Sequence, residues 1–352
     1  MSTRKFNKKR SMMFPREVFA GHGVLEKVKD IVADINGPAL IITGEKTYSV
    51  AGEKVKKYIE ENDIKTDVIK VTEPTSENLN YLRDMAVKLK PKVILGVGGG
   101  SKIDLGKVIS FEQGIKFISI PTSAAHDGIS SPMASIRGEY GNTSMKTVVP
   151  YAVIADTEII HTSPYRMLAS GCADVISNIT AVMDWKLAHR IHGEEMSSTA
   201  ASMAELGANT ILENVVSIRK NLEESVWIAI KQIIASGLSM GIAGCSRPAS
   251  GAEHMFSHSL DMIYPAKKTL HGEQVGVGTI ISMYLHGGNW KGIRDALIGL
   301  GAPVSAEDLG IPEEVMVEAL MNAHKIRDRS TILGNGIKEE AARTALMKTY
   351  II

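Results

Sequence analysis

The stretch KVILGVGGGSKID, residues 92–104, decides the fold. Its first part, KVILGV (92–97), is near-continuously apolar, the pattern of a strand buried on both faces of a parallel sheet. Its second part, GVGGGSKID (96–104), follows that strand directly and opens into a helical run. A helix starting at the end of a buried strand presents unpaired amides and the positive end of its dipole, and Gly98, Gly99 and Gly100 let a pyrophosphate approach that backbone closely. Ser101, Lys102 and Asp104 are the candidate contacts on the first turn. A glycine cluster after a strand also makes a tight turn, although three glycines exceed what a turn needs. The segment is neither GxGxxG nor a P-loop, because Lys102 is followed by Ile103 rather than by Ser or Thr.

Outward from this stretch the same rhythm repeats. PALIIT (38–43), TDVIKV (66–71), KFISI (116–120) and YAVIAD (151–156) read as further buried strands, and SVAGEKVKKYIEEN and SENLNYLRDMAVKLK carry apolar residues at helical spacing between charged faces. After Ser163-Pro164 β-branched runs become rare, and 166–190, 195–219, 223–246 and 250–263 read as helices. The expected fold is α/β: a Rossmann-like parallel-sheet domain over 1–160 and an all-helical domain over 161–352. A chain of 352 residues suits two domains.

Composition excludes several classes. Forty Lys and Arg against 39 Asp and Glu leave no net field for a polyanion, so nucleic acid is not an expected partner. The basic cluster Arg4, Lys5, Lys8, Lys9 and Arg10 reads as a solvated tail, and no apolar core of a signal peptide follows it. No uninterrupted apolar run is long enough for a membrane span. Two cysteines, Cys172 and Cys245, make no disulfide framework and suit a reducing, cytoplasmic setting.

A second loop, PTSAAHDGISSP (121–132), follows the strand KFISI and lies at the carboxyl edge of the sheet, where open α/β sheets bind ligands. Thr122, Ser123 and Ser131 can donate hydrogen bonds to a dinucleotide, and Asp127 can hold a hydroxyl; each alone also serves as a turn-stabilising side chain. The helical half holds Asp174, His254, His258 and His271. His254 and His258, four apart, share one helix face. One carboxylate and two imidazoles with an open fourth position are what a catalytic zinc requires, although a histidine satisfied within the core is the commoner case for any one of them.

Taken in order, PREVFAGHGVLEKV (15–28), GGGSKID, PTSAAHDGISSP, Asp174, GAEHMFSH, LHGEQVGVG and HKIRDRSTIL resemble the family that joins iron-dependent alcohol dehydrogenases, glycerol dehydrogenases, glycerol-1-phosphate dehydrogenases and dehydroquinate synthases, over nearly the whole chain. The resemblance implies one metal on Asp174, His254 and His271, zinc in the polyol branch. Asn178 stands where the iron-dependent branch has a histidine, which disfavours a four-ligand iron site. The lysines typical of the synthases are missing from ADVISNIT. TSAAHDGISSP, GAEHMFSHSLD and RDRSTIL look like the archaeal glycerol-1-phosphate dehydrogenases.

That likeness implies an oxidoreductase, with Asp127, Asp174 and His258 against the substrate and the GGGSKID loop, Thr122, Ser123, Ala124, Ala125 and Ser131 on the cofactor. It implies NAD(P)H-dependent reduction of dihydroxyacetone phosphate to the glycerol 1-phosphate of archaeal membrane lipids, in a homo-oligomer. Glu45 suits a ribose hydroxyl and Lys46 a 2′-phosphate, so use of both NAD(H) and NADP(H) is expected. Arg137, Lys146 and Lys267 are the candidates for the substrate phosphate. Action on unphosphorylated polyols, and a non-catalytic metal- and nucleotide-binding protein, are the alternatives.

Overall fold

The structure, a computed structural model, describes residues 11–138, 141–265 and 269–352, and the side chains of all of these except 137, 138 and 141–143. The basic cluster at residues 4–10, Lys267 and the Arg137 side chain lie outside the described parts. Six strands form one parallel sheet: β1 (Glu17–Gly21), β2 (Ala39–Thr43), β3 (Thr66–Lys70), β4 (Val93–Gly98), β5 (Lys116–Pro121) and β8 (Ala152–Asp156). Their order is β1-β8-β5-β4-β2-β3, and a separate antiparallel hairpin joins β6 (Met133–Gly138) to β7 (Gly141–Lys146).

The continuous apolar character of the strands follows from helices on both faces. Leu40, Ile42, Ile94, Phe117 and Val153 point to the face covered by the helices Ser76–Leu89 and Gly100–Gln113. Ile41, Leu95, Val97, Ile118 and Ile154 point to the opposite face, against Val28, Ile31, Val32, Val55 and Ile59 of the helices Val28–Ile35 and Glu53–Glu60. Alternate residues along each strand therefore serve opposite cores. The exception is TDVIKV: β3 is an edge strand, partly buried along its length and exposed at Lys70. Its outer side has no neighbour to demand an apolar run.

From residue 157 onward the described residues are helices and loops. The first apolar core continues without a break into this half, where Leu168, Val175, Ile230, Ile233, Met255 and Ile280 join the same cluster as Val153 and Ala155. The run expected as one helix over 166–190 is two, Tyr165–Ile176 and Asn178–His192, separated at Ser177, whose Oγ donates to Asp174 O at 2.6 Å. Glu223–Ala243 is long and apolar enough to cross a membrane, but 67% of its apolar window is buried inside the fold, and it packs against the helix Ser198–Glu213. It is a core helix.

Chain order locates the ligand edge. The crossover from β2 leads outward to β3 and then back past β2 to β4, so the direction of winding reverses between β2 and β4. At such a reversal the following loops diverge and leave a crevice at the carboxyl ends of the strands. Thr43 and Val97 are register partners there, as are Gly98 and Pro121, and Thr122 N donates to Gly98 O at 3.0 Å. Both glycine- and serine-rich loops thus leave the sheet side by side.

The second loop is tied down by a residue with no motif around it. Lys107, fully buried, pairs with Asp104 at 3.0 Å and donates to Gly128 O at 2.7 Å and to Met133 O. Asp104 Oδ2 in turn accepts from Ser135 N at 3.1 Å at the start of the hairpin. Removing one member of a buried pair strands the other's charge. Lys107→Met is expected to destabilise the protein by about 3–5 kcal/mol, and Lys107→Met with Asp104→Leu by less than the sum of the two single changes. Denaturant unfolding followed by circular dichroism checks both; additive losses would mean that the pair is not coupled.

Candidate active site

Three helix positions bring the metal candidates together. Asp174 lies in the last turn of Tyr165–Ile176, His254 in the first turn of Ala252–Ile263, and His271 opens His271–Leu285. The last helix start is fixed by Glu273, which accepts from Leu270 N at 2.8 Å and pairs twice with Arg166, at 2.5 and 2.7 Å, at the base of the Asp174 helix. Asp184 receives Ala252 N at 2.7 Å, His286 Nε2 at 3.0 Å and Ile332 N at 2.6 Å, joining the start of the His254 helix to the end of the His271 helix.

Asp174 Oδ1 stands 3.5 Å from His254 Nε2 and 3.7 Å from His271 Nε2. One ligand atom from each residue lies within 4.8 Å of the others. Ligands around one tetrahedral zinc, at metal distances of 2.0–2.2 Å, are separated by roughly 3.4 Å. Asp174 Oδ1 is buried and accepts no hydrogen bond, while Oδ2 accepts Asp127 N at 3.0 Å. One carboxylate oxygen is thus satisfied by the backbone and the other faces two imidazoles, which fits a divalent cation. His254 Nδ1 lies 3.1 Å from Glu253 Oε1, and Thr180 Oγ1 donates to the other oxygen of Glu253 at 2.9 Å. A carboxylate behind the ring holds Nδ1 as the donor and leaves Nε2 for the metal.

The unmetallated cluster is electrostatically divided. Burial pushes the Asp174 carboxyl up, but His254 and His271 more than offset it and hold it at about 2. Burial opposes the charge of His254, yet Asp174 and Glu253 raise it to about 9. His271 is driven down to about 4, chiefly by burial and with His254 adding to it against Asp174. Asp127 is raised to about 7, first by burial and then by the charge of Asp174, with Ser236 opposing.

The remaining substrate candidates border the same cavity, of about 150 Å³, which is lined among others by Asp127, Ser131, His254, His258, His271 and Arg327. The Asp127 carboxylate accepts Ser236 Oγ at 2.7 Å, and Asn178 Nδ2 donates to the same Ser236 oxygen at 2.9 Å. Asn178 therefore works through Asp127 rather than standing as a metal ligand. The His258 ring lies 5.9 Å from that of His271, and its Nε2 lies 3.3 Å from Arg327 Nη2.

The cofactor candidates are split. At the cradle, Gly98 takes φ 155°, and a Cβ on Gly99 would touch Ser123 Oγ at 3.4 Å. A Cβ on Gly100 would overlap the His126 ring, which itself lies 6.5 Å from His271. Ser101 and Ser123 are partly exposed there. Lys102 turns away to Thr72 O after β3, and burial lowers its pKa. Asp104 is occupied by Lys107 and Ser135 N, Ala124 is buried in the core, and Thr122 and Ser131 are nearly so. Ala125 O accepts Ser170 Oγ at 3.1 Å. Glu45 is exposed and pairs with Lys70 at 2.8 Å. Among the phosphate candidates, Lys146 donates to Gly244 O at 3.0 Å. Lys107 and Ser236 carried no sequence signal, since single polar residues in helices acquire a role only through tertiary neighbours; Glu253 and Arg327 lie within GAEHMFSH and HKIRDRSTIL, but nothing in those motifs singled them out.

Residues 19–164 match the iron-containing alcohol dehydrogenase family. The chain is 48% identical to the glycerol-1-phosphate dehydrogenase [NAD(P)+] of Methanosarcina mazei, over 98% of both chains. It is 47% identical to the enzyme of that name from Thermoplasma volcanium, over 99% of this chain and 100% of the relative. Among solved structures, glycerol dehydrogenase from Schizosaccharomyces pombe superposes with a TM-score of 0.82 at 20% identity, covering 97% of this chain and 91% of that one, a likeness of fold. Coverage of 98–100% at 47–48% identity places the chain in the glycerol-1-phosphate dehydrogenase family.

Proposed function

We propose that this chain catalyses the reversible NAD(P)H-linked reduction of dihydroxyacetone phosphate to sn-glycerol 1-phosphate, the glycerophosphate backbone of archaeal membrane lipids. The observation that carries the reading is the meeting of Asp174, His254 and His271, the two histidines lining the cavity that Asp127 and His258 also line. Zinc is the metal proposed, since one carboxylate and two imidazoles leave a tetrahedral position open. The proposal keeps the division into a nucleotide-binding domain over 1–160 and a metal- and substrate-binding domain over 161–352. It further assigns a cytoplasmic, homo-oligomeric enzyme.

The bound cation would supply Lewis-acid polarisation of the ketone, and the nicotinamide would supply the hydride. The chain's own work is positioning and proton supply. Asp127, fixed by Ser236, and His258, steadied by Arg327, are proposed to hold the substrate hydroxyls. The proton that completes the alcohol would come to the former carbonyl oxygen through water, and a bound cofactor would offer a ribose hydroxyl for the same purpose. The first amides of the helix Gly100–Gln113 are proposed to take the dinucleotide pyrophosphate, with Gly98, Gly99, Gly100, Ser101 and the Thr122–Ala125 turn around it. Glu45 and Lys46, both exposed after β2, support use of both NAD and NADP.

Two experiments test this reading. Zinc-loaded enzyme is expected to oxidise NADH and NADPH with dihydroxyacetone phosphate and far less with dihydroxyacetone, and chelation, Asp174→Ala or His271→Ala to lower turnover by about 10³-fold, as loss of several kcal/mol of charge stabilisation implies. Preference for the unphosphorylated ketone, or turnover indifferent to chelation, would contradict it. The second concerns Asp127 in the metal-free protein. Its folded pKa of about 7 exceeds the unfolded value near 3.9, so folding binds a proton between those values and stability from this group falls as pH rises through that window. The difference in Tm between wild type and Asp127→Asn is therefore expected to shift against wild type from about pH 4 to about pH 7 and then to level off; a flat difference would show that Asp127 is ionised throughout.

A further inference from the structure

The cavity that His254 and His271 line carries a positive charge without a carboxylate beside it at another part of its wall. Among the described residues its lining includes three carboxylates besides the ligands, Asp104, Asp127 and Asp261, and one Arg or Lys, Arg327. A phosphate dianion entering this space is repelled by the former, so the position of the guanidinium determines where it settles. Asp104 is paired with Lys107, Asp127 accepts Ser236 Oγ, and Asp261 lies 3.4 Å from Gln274 Nε2. Among the described residues Arg327 has no carboxylate partner: its bonds go to Ser250 Oγ at 3.3 Å and to His258 Nε2 at 3.3 Å.

The surroundings add charge and donors. Arg329 donates to Ser250 O at 2.5 Å and Ser246 Oγ at 2.8 Å, while Arg247 is matched by Glu194 at 2.6 Å. Burial, then Arg327 and Arg247, hold Arg329 down to about 10, as expected of cations gathered in one place. Ser246 and Ser250 both line the cavity, and each already accepts a guanidinium hydrogen on its Oγ, which leaves its own O–H free to donate. A guanidinium fork flanked by two hydroxyl donors matches the oxygens of a phosphate.

Distance from the metal is set by one ring. Arg327 touches His258, and His258 lies 5.9 Å from the ligand His271. In a triose phosphate only a CH2–O link separates the carbonyl carbon from phosphorus, so a ketone at the triad and a phosphate at Arg327 can be one molecule. We propose that Arg327, with Ser250 and Ser246, forms the subsite that holds the phosphate of the substrate and makes the enzyme selective for a phosphorylated ketone. This rests on the function proposed above and names an anchor for the substrate phosphate, which the sequence left open among Arg137, Lys146 and Lys267.

The test compares zinc-loaded wild type, Arg327→Met and Arg327→Lys, with inorganic phosphate titrated calorimetrically and kcat/KM measured for dihydroxyacetone phosphate and dihydroxyacetone. Arg327→Met is expected to lower the ratio of kcat/KM between the phosphorylated and the unphosphorylated ketone by about 10- to 150-fold, mainly through KM, and to weaken phosphate binding by a similar factor. Arg327→Lys keeps the charge without the fork, and is expected to lose about tenfold; it serves if the methionine variant does not fold. Equal losses on both ketones, or unchanged phosphate binding, would overturn this subsite while leaving the proposed function standing. A wild type that prefers the unphosphorylated ketone would overturn both.

Discussion

The carboxylate of Asp174 is the constraint around which this protein is organised. Buried in the last turn of a core helix, it gives one oxygen to the amide of Asp127, on the loop leaving β5, and turns the other toward His254 and His271. A buried carboxylate is costly unless charge and hydrogen bonds compensate it. Both forms of compensation come from elsewhere in the chain, and in supplying them the sheet edge and three helices are brought to one point. The cavity is the space left among those elements.

Further residues make this point rigid rather than reactive. Glu253 orients His254, Glu273 and Arg166 fix the start of the His271 helix, and Asp184 joins the opposite ends of the two histidine helices. On the other side, Lys107 holds three carbonyls of the loop that carries Asp127. Such outer partners determine whether first contacts have the right tautomer and angle. The arrangement also explains why Asn178, at a position where a histidine would add a ligand, instead serves Ser236 and through it Asp127.

Much of this was legible before the fold was known, for identifiable reasons. Strands buried on two faces must be apolar throughout, so β2, β4, β5 and β8 announce themselves, whereas the edge strand β3 needs no such run and reads as more buried than it is. The hairpin β6-β7 lies off the main sheet: β7, GNTSMK, is polar, and in β6, MASIRG, buried Ala134 and Ile136 alternate with Met133 and Ser135 over four residues only, too short a run to stand out in the sequence. The glycine cradle is local in sequence and therefore visible. Asp174, His254 and His271 lie on three separate helices, and only their ordered likeness to a known family connected them. Lys107 and Ser236 are single residues whose meaning exists only in three dimensions, and Arg327, though it opens the quoted RDRSTIL, meets His258 only there.

Anomalous diffraction at the zinc edge, from crystals grown with zinc, tests the central claim most directly. The account predicts one strong peak per chain, about 2.0–2.2 Å from Asp174 Oδ1, His254 Nε2 and His271 Nε2, with a fourth position open to the cavity. A peak elsewhere, at Asp184 and His286 for instance, or none at the triad in metal-replete protein, would contradict it.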